Sequence, residues 1–194
     1  MANTNRPFGL RPIGTLGSAC YTGKVQKFYV PATDVNAIYV GDTVKIAGSS
    51  GSLYAGDPSY PTAAIAAAND VVLGVMVGIE ALPTNLAANY RIASTGMYIY
   101  VDTDPNTIYE AQSDSTGVAA ADVGLNVPIT VTAGSTTTGV SGSVLAGASV
   151  ATTNSLDCQI LRLAPNVDNE AGAYSKCHVR LNLNQYKTNT TGIA

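Results

Sequence analysis

The sequence is poor in charge. Charged residues make up 12% of its 194 residues, whereas hydrophobic residues make up 46%; a typical soluble domain carries about 25% charged residues. Charge-rich disordered proteins have the opposite balance, because they lack the apolar side chains needed to form a core. We therefore expect a chain that folds, and the length fits one domain or two small ones.

An excess of positive charge is also missing. Ten Lys and Arg residues stand against 13 Asp and Glu residues, which gives a formal net charge of −3. Nucleic acids and anionic lipids attract basic proteins, so we expect neither free nucleic acid nor a membrane as a partner.

A long apolar segment is missing too. Residues 71–79 are the longest apolar stretch, and a helix needs about 20 apolar residues to span a bilayer. Residues 1–11 contain no apolar region typical of a secretion signal.

Histidine and cysteine are scarce, which limits the possible chemistry. His178 is the single histidine, and its neighbour Cys177 points to the other face of the same predicted strand, which disfavours a Cys/His catalytic pair. We interpret His178 as a surface or interface imidazole beside Arg180. Cys20, Cys158 and Cys177 match neither a disulfide scaffold nor a zinc pattern. We expect reduced, mostly buried thiols, no metal, no cofactor and no enzymatic activity.

Two segments resemble ligand-binding loops but depart from the required spacing. The segment 17–24 has five residues between its glycines, whereas a phosphate-binding loop has four. Asp102, Asp104 and Asn106 copy the start of a calcium loop, but Thr107 stands where the tight-turn glycine belongs. We expect ordinary turns at both places, the second capped by its own side chains. The 13 acidic residues offer many spatial pairs, and nothing in the sequence singles out one pair for glycoside chemistry.

From residue 24 onward, apolar and polar residues alternate with a period of two, which predicts β-strands. Residues 97–101 and 107–112, separated by a turn, predict a β-hairpin. The alanine-rich segment 63–68 remains ambiguous between a helical turn and a strand. About eight to ten short strands predict an all-β protein, a single β-sandwich or barrel-like domain that spans residues 23–194.

The second half of the chain gives more specific expectations. The apolar phase shifts by one residue after Ile160, which predicts a β-bulge, and Pro128 places the strand around it at a sheet edge. Residues 133–155 are rich in Gly, Ser and Thr and predict a long loop or hairpin. The final strand alternates regularly. It places Cys177, Val179, Leu181 and Leu183 on one face, and Lys176, His178, Arg180 and Asn182 on the other.

Residues 1–22 are interpreted as an extended N-terminal arm. Its closely spaced prolines and glycines tolerate neither a helix nor a long strand. Its apolar side chains gain nothing in solvent, so we expect them to dock, with another subunit as the candidate. On this interpretation, removal of residues 1–16 leaves the β body folded and weakens binding to the partner. The candidate contact residues are Arg6, Phe8, Leu10, Arg11 and Ile13.

A series of short motifs runs through nearly the whole chain. They read NRPFGLRPIG at 5–14, YVPA at 29–32, VGD at 40–42, VLGVMVG at 72–78, YIYVDTDPN at 98–106, IYE at 108–110, ADVGLN at 121–126 and LNLNQY at 181–186. In this order and spacing, the chain resembles a family of tailed-bacteriophage head cement or decoration proteins. The segment 133–155 matches least.

The resemblance implies a non-enzymatic virion protein. Such a protein binds the outer surface of the assembled phage head and ties neighbouring subunits of the major capsid protein together against the pressure of packaged DNA. The resemblance also implies synthesis in the host cytoplasm, and the symmetry of capsid positions favours a homodimer or homotrimer. The weakly charged surface agrees with this, because many modest contacts add up across a lattice.

A carbohydrate-binding β-sandwich, used for attachment, is the alternative. The sequence holds 11 Tyr against two Phe, and tyrosine rings suit sugar stacking as well as interfaces. Tyr98 and Tyr100 are the candidate stacking platforms. An enzyme on the same sandwich is disfavoured, because no nucleophile stands beside a base.

Overall fold

A computed structural model describes residues 3–17 and 20–187 of the chain. The protein is all-β, as the alternation predicts, with two short 3-10 turns at Ala120–Asp122 and Gly147–Ser149 as its only helical elements in those residues. The strands are β1 (Arg11–Thr15), β2 (Gln26–Val30), β3 (Thr43–Gly51), β4 (Tyr60–Ile65), β5 (Gly74–Ile79), β6 (Met97–Asp102), β7 (Thr107–Gln112), β8 (Asn126–Val127), β9 (Ile129–Thr130), β10 (Val144–Leu145), β11 (Cys158–Leu163) and β12 (Lys176–Leu181).

The first half of the chain forms a closed barrel in the order β2-β4-β3-β5-β6. Strand β6 pairs with β2 along five residues, and a parallel pairing of Tyr29 with Thr62 joins β2 to β4. The alanine-rich segment 63–68 therefore begins inside a strand, because its early alanines pair with β3. The barrel encloses a core of Phe28, Val30, Ile38, Val44, Ala63, Leu73, Met76, Ile99 and Val101.

Strand β1 and four strands of the second half of the chain form an antiparallel sheet in the order β1-β7-β12-β11-β8. Its inner face packs against the barrel, since Ala66, Val72 and Val75 from the barrel half belong to the same apolar cluster as the inner-face side chains. The regular alternation of β12 is confirmed at Cys177, Val179 and Leu181, which are at most 2% exposed. The inner face consists of Tyr109, Ala111, Val127, Cys158, Ile160, Cys177, Val179 and Leu181.

The predicted hairpin of β6 and β7 is wrong, although both strands exist. Strand β6 pairs with β2 and β5 in the barrel, whereas β7 pairs with β1 and β12 in the sheet. The turn between them is therefore a corner that carries the chain from barrel to sheet. As predicted, its own side chains cap it: the Asp104 N–H donates to Asp102 Oδ1 at 3.1 Å, and the Asn106 N–H donates to Asp104 Oδ1 at 2.9 Å.

Gly74 explains how tightly the barrel fits against this corner. A Cβ atom added at Gly74 would lie 1.9 Å from the carbonyl oxygen of Asp102. Such a contact is impossible, so only glycine permits β5 to approach the corner this closely. The interpretation that glycines in the segment 71–79 mark a close backbone approach is confirmed at this position.

The N-terminal region is more integrated than the predicted arm. Its residues Arg11–Thr15 form β1, which pairs with β7 through a register shift between Pro12 and Gly14. An edge position with a bulge tolerates a proline, because the missing N–H faces away from the ladder. Leu10 is 2% exposed in the apolar cluster behind the sheet. Docking of Leu10 on another subunit is therefore wrong, since its own chain already buries it.

Two local expectations for the second half are confirmed. The register of β11 against β12 shifts between Ile160 and Arg162, which is the predicted bulge. Pro128 separates β8 from β9, and β8 is an outer strand of the sheet. The segment 133–155 holds the two-residue strand β10 and one 3-10 turn, and most of the remaining residues lie in turns and loops.

The three cysteines are free thiols. Cys20 is exposed, whereas Cys158 and Cys177 are buried. Burial raises the pKa of Cys177 to about 11 and also raises the pKa of Cys158. Because the thiolate is the reactive form, the two buried thiols are expected to be inert in the folded protein.

Thiol titration tests this arrangement. We expect the native protein to react rapidly at one thiol per chain, Cys20, and the denatured protein to react at three without reductant. A Cys20→Ser variant serves as the control and should lose the rapid phase. Fewer than about three thiols after denaturation would contradict the absence of disulfides.

Candidate interface on the five-stranded sheet

Of the two positions that the sequence suggested for His178, surface or interface, the structure excludes an exposed surface imidazole, because the residue is 7% exposed. Arg162 Nε donates a hydrogen bond of 3.0 Å to His178 Nδ1, and His178 Nε2 lies 3.9 Å from Glu110 Oε2. Burial lowers the pKa of His178, the Arg162 charge lowers it further, and Glu110 opposes both. A neutral ring whose Nδ1 accepts carries its proton on Nε2, facing Glu110. Cys177 points into the core, so no Cys/His pair forms.

Buried carboxylates outside the sheet connect parts of the fold. Asp42 accepts hydrogen bonds from the backbone N–H of Tyr39 and from the hydroxyls of Ser141 and Ser143. Asp157 accepts from two backbone N–H groups, at 2.7 and 2.8 Å. Burial raises the pKa of both carboxyl groups, and these hydrogen bonds offset part of the rise. The two carboxylates therefore act as structural acceptors within the chain.

The segment 17–24 does not form a phosphate site in the part of it that is described. Residues 18 and 19 lie outside the described residues. The crevice that contains Lys24 is also lined by Asp102 and Asp104, whose carboxylates would repel a phosphate. No group of three or more potential metal-ligating side chains occurs within residues 3–17 and 20–187.

Tyr98 cannot be the sugar-stacking platform of the alternative interpretation. It is 1% exposed, and its ring packs edge-on against Tyr29 and Tyr60, with centroids 5.8 and 5.3 Å away. Lys27 Nζ lies 3.9 Å from the ring centroid. Tyr100 is half-buried, with its hydroxyl 3.2 Å from a Glu80 oxygen. A stacking platform needs an open ring face, which Tyr98 lacks.

The outer face of the five-stranded sheet carries a row of interacting polar side chains. Arg11, Glu110, His178 and Arg162 occupy paired positions on β1, β7, β12 and β11. They share one face because each alternates with inner-face core residues on its strand. Arg11 Nη2 lies 2.8 Å from Glu110 Oε1, so the row runs Arg11, Glu110, His178, Arg162.

Basic residues surround this row. Lys176 and Arg180 flank His178 on β12, and Arg180 Nε donates to Gln159 Oε1 at 2.9 Å. Lys176 Nζ lies 3.6 Å from Asp168 Oδ2. We call this surface the basic face and define it as the outer-face residues Arg11, Glu110, Gln112, Gln159, Arg162, Lys176, His178 and Arg180, together with the bordering segments 3–9 and 165–170.

The segment 3–9 is fixed along one side of the basic face. The buried side chain of Gln112 accepts from the Arg6 N–H at 2.8 Å and donates to the Thr4 carbonyl oxygen at 2.8 Å. Asn3 donates to the carbonyl oxygens of Glu170 and Ala173. This part of the predicted arm therefore lies on its own chain.

The structure brings together three of the five candidate contact residues. Arg6, Phe8 and Arg11 line one crevice beside the basic face, and the Arg11 guanidinium lies 5.1 Å from the centroid of the Phe8 ring. Leu10 is buried in the core, and Ile13 is half-buried at the β1 register shift.

Sequence reasoning missed Arg162 and did not recognise Lys176 and Arg180 as part of the same surface. The alternation of β12 already placed Lys176 and Arg180 on one face. The bulge in β11 then moves Arg162 opposite His178. A signal for the surface was therefore present, but it required knowing that β11 and β12 are neighbours.

Within the described part of the chain, no helix is long and apolar enough to cross a membrane.

Comparisons with protein-family models, with curated proteins and with solved structures found no match.

Proposed function

We propose that the chain is a non-enzymatic capsid decoration protein that binds the outside of a phage head and bridges neighbouring major capsid protein subunits. The observation that carries this proposal is the ordered series of motifs from residue 5 to residue 186 that resembles the cement and decoration family. The proposal includes self-association as a dimer or trimer, because capsid symmetry positions require repeated copies.

The geometry supports this proposal in two ways. Ala66, Val72 and Val75 of the barrel half pack into the apolar cluster behind the sheet, which joins the two parts into a stiff body suited to bridging. The basic face is an extended polar surface without a sugar platform, and Tyr98 is buried. These features favour a protein surface over a glycan as the partner.

Binding to heads tests the proposal. We expect the purified protein to co-sediment with phage heads that lack it, to saturate at a fixed ratio to the major capsid protein, and to raise the temperature at which the heads release DNA. Cryo-EM of the decorated heads should show density outside the shell at repeated lattice positions. The proposal is wrong if the protein does not bind heads or if its density lies inside the shell.

A glycan array separates the alternative interpretation. We expect no binding above background to any glycan on the array. Saturable glycan binding that Tyr100→Ala abolishes would favour an attachment protein instead, and co-sedimentation with heads should then fail.

A further inference from the structure

Basic residues are concentrated on one surface of an acidic protein. The basic face carries five of the chain's ten Lys and Arg residues but three of its 13 Asp and Glu residues. The basic residues are Arg6, Arg11, Arg162, Lys176 and Arg180, and the acidic residues are Glu110, Asp168 and Glu170. The face is therefore locally positive, although the whole chain has a net charge of −3.

The positive groups are also the outermost groups of the central row. The Arg11 side chain is 62% exposed, whereas the Glu110 side chain beneath it is 8% exposed. Arg162 is exposed, and the His178 ring that it contacts is buried. An approaching molecule would therefore meet guanidinium groups, with the Glu110 carboxylate screened below them.

Arg162 and Arg180 are held in place without an acidic partner. Neither has a carboxylate within ion-pair distance among the described residues, and each uses its Nε to bond a neutral group, His178 or Gln159. This leaves the terminal nitrogens as the natural donors for a two-point contact with a carboxylate. The orientation is fixed in advance, which lowers the entropy lost on binding.

We infer that the basic face is the docking surface for an acidic patch on a partner protein, which in the proposed function is the outer surface of the capsid shell. This inference deepens the proposed function and rests on it for the partner's identity. Positions four residues apart on one strand are about 13 Å apart, so Lys176 and Arg180 would face carboxylates spaced at a similar interval.

The observations favour a protein over a nucleic acid. Asp168 and Glu170 lie on the border of the face, and their carboxylates would repel the continuous phosphate charge of a nucleic acid. A mixed pattern suits a protein surface of complementary charges.

The first experiment uses poly-L-glutamate immobilised on a resin, with duplex DNA on a second resin. We expect the wild-type protein to be retained on polyglutamate at low salt and to elute as salt rises, because screening weakens exposed charge contacts. The variant Arg162→Glu/Arg180→Glu should bind at least about tenfold more weakly. Lys24→Glu reverses an exposed charge off the face and is the matched control, with less than about a twofold change.

The second experiment measures binding of the same variants to phage heads. Arg162→Lys/Arg180→Lys keeps both charges but loses the two-point contacts, so it should bind polyglutamate and heads more weakly than the wild type and at least about threefold more tightly than the double Glu variant. Circular dichroism must show that every variant is folded. A folded double Glu variant that binds polyglutamate or heads as well as the wild type overturns the inference. Tighter binding to DNA than to polyglutamate overturns it too, as does failure of the wild type to bind polyglutamate.

Failure of the wild type to bind heads would instead contradict the proposed function. The polyglutamate result would still show whether the basic face binds carboxylates.

Discussion

Replacing Val179 with aspartate is expected to lower the free energy of unfolding by about 4 kcal/mol or more, which is a large part of the stability of a typical domain. Val179 is fully buried at the centre of the sheet's inner face, between Tyr109 on β7 and Ile160 on β11. Its cross-strand neighbours Tyr109 and Ile160 are themselves at most 2% exposed and belong to an apolar cluster, so the new carboxylate would be buried among apolar side chains or would take up a proton at a cost.

The neighbouring residue provides the matched control. Arg180 follows Val179 on the same strand but points to the outer face, where it is half-exposed. Arg180→Ala should change the free energy of unfolding by less than about 1 kcal/mol. Thermal and urea melts of both variants make the measurement, and similar losses in both would contradict the assignment of the two faces.

Removal of residues 1–16 is expected to destabilise the whole body, which reverses the expectation drawn from the sequence. The deletion removes β1, which leaves one edge of β7 without a paired strand, and it removes Leu10 from the core. It also removes Thr4 and Arg6, two of the three hydrogen-bond partners given for the buried Gln112 amide, and leaves Tyr174. Circular dichroism and a thermal melt should show loss of the folded baseline or a transition lowered by many degrees.

A point variant isolates the contribution of the core contact. Leu10→Ala should lower the free energy of unfolding by about 3 kcal/mol, through lost apolar burial and the cavity left behind. Leu16→Ala removes the same atoms from a residue that is 42% exposed, and it should change stability by less than about 0.5 kcal/mol. Equal effects of the two substitutions would restore the interpretation of a loosely attached arm.

The fold class and the local strand features were predictable because they depend on short-range pattern. Alternation identified β12, and the phase shift after Ile160 identified the bulge in β11. Pro128 marked the sheet edge, since proline has no backbone N–H to donate to a neighbouring strand. Each of these signals involves only a few neighbouring residues, so it can be recognised from the sequence without knowing which strands pair.

The pairing of strands was not predictable in the same way. Residues 97–112 have the pattern of a hairpin, yet tertiary contacts direct β6 into the barrel and β7 into the sheet. The burial of Tyr98 and His178 follows from packing between distant segments, such as Lys27 over the Tyr98 ring. For the same reason, the sequence predicted only some of the site residues. Arg162, for example, joins the basic face only because β11 pairs with β12.

The closed barrel also affects how copies of the protein can aggregate when they are crowded together. A closed barrel offers no unpaired strand edge, and open edges are the usual template for fibrils and runaway aggregation. The five-stranded sheet has two outer strands: β1 contains Pro12 and a register shift, and β8 is two residues long and is followed by Pro128. Copies crowded side by side would therefore not extend into fibrils through these strand edges, and contacts between copies would be made by side chains.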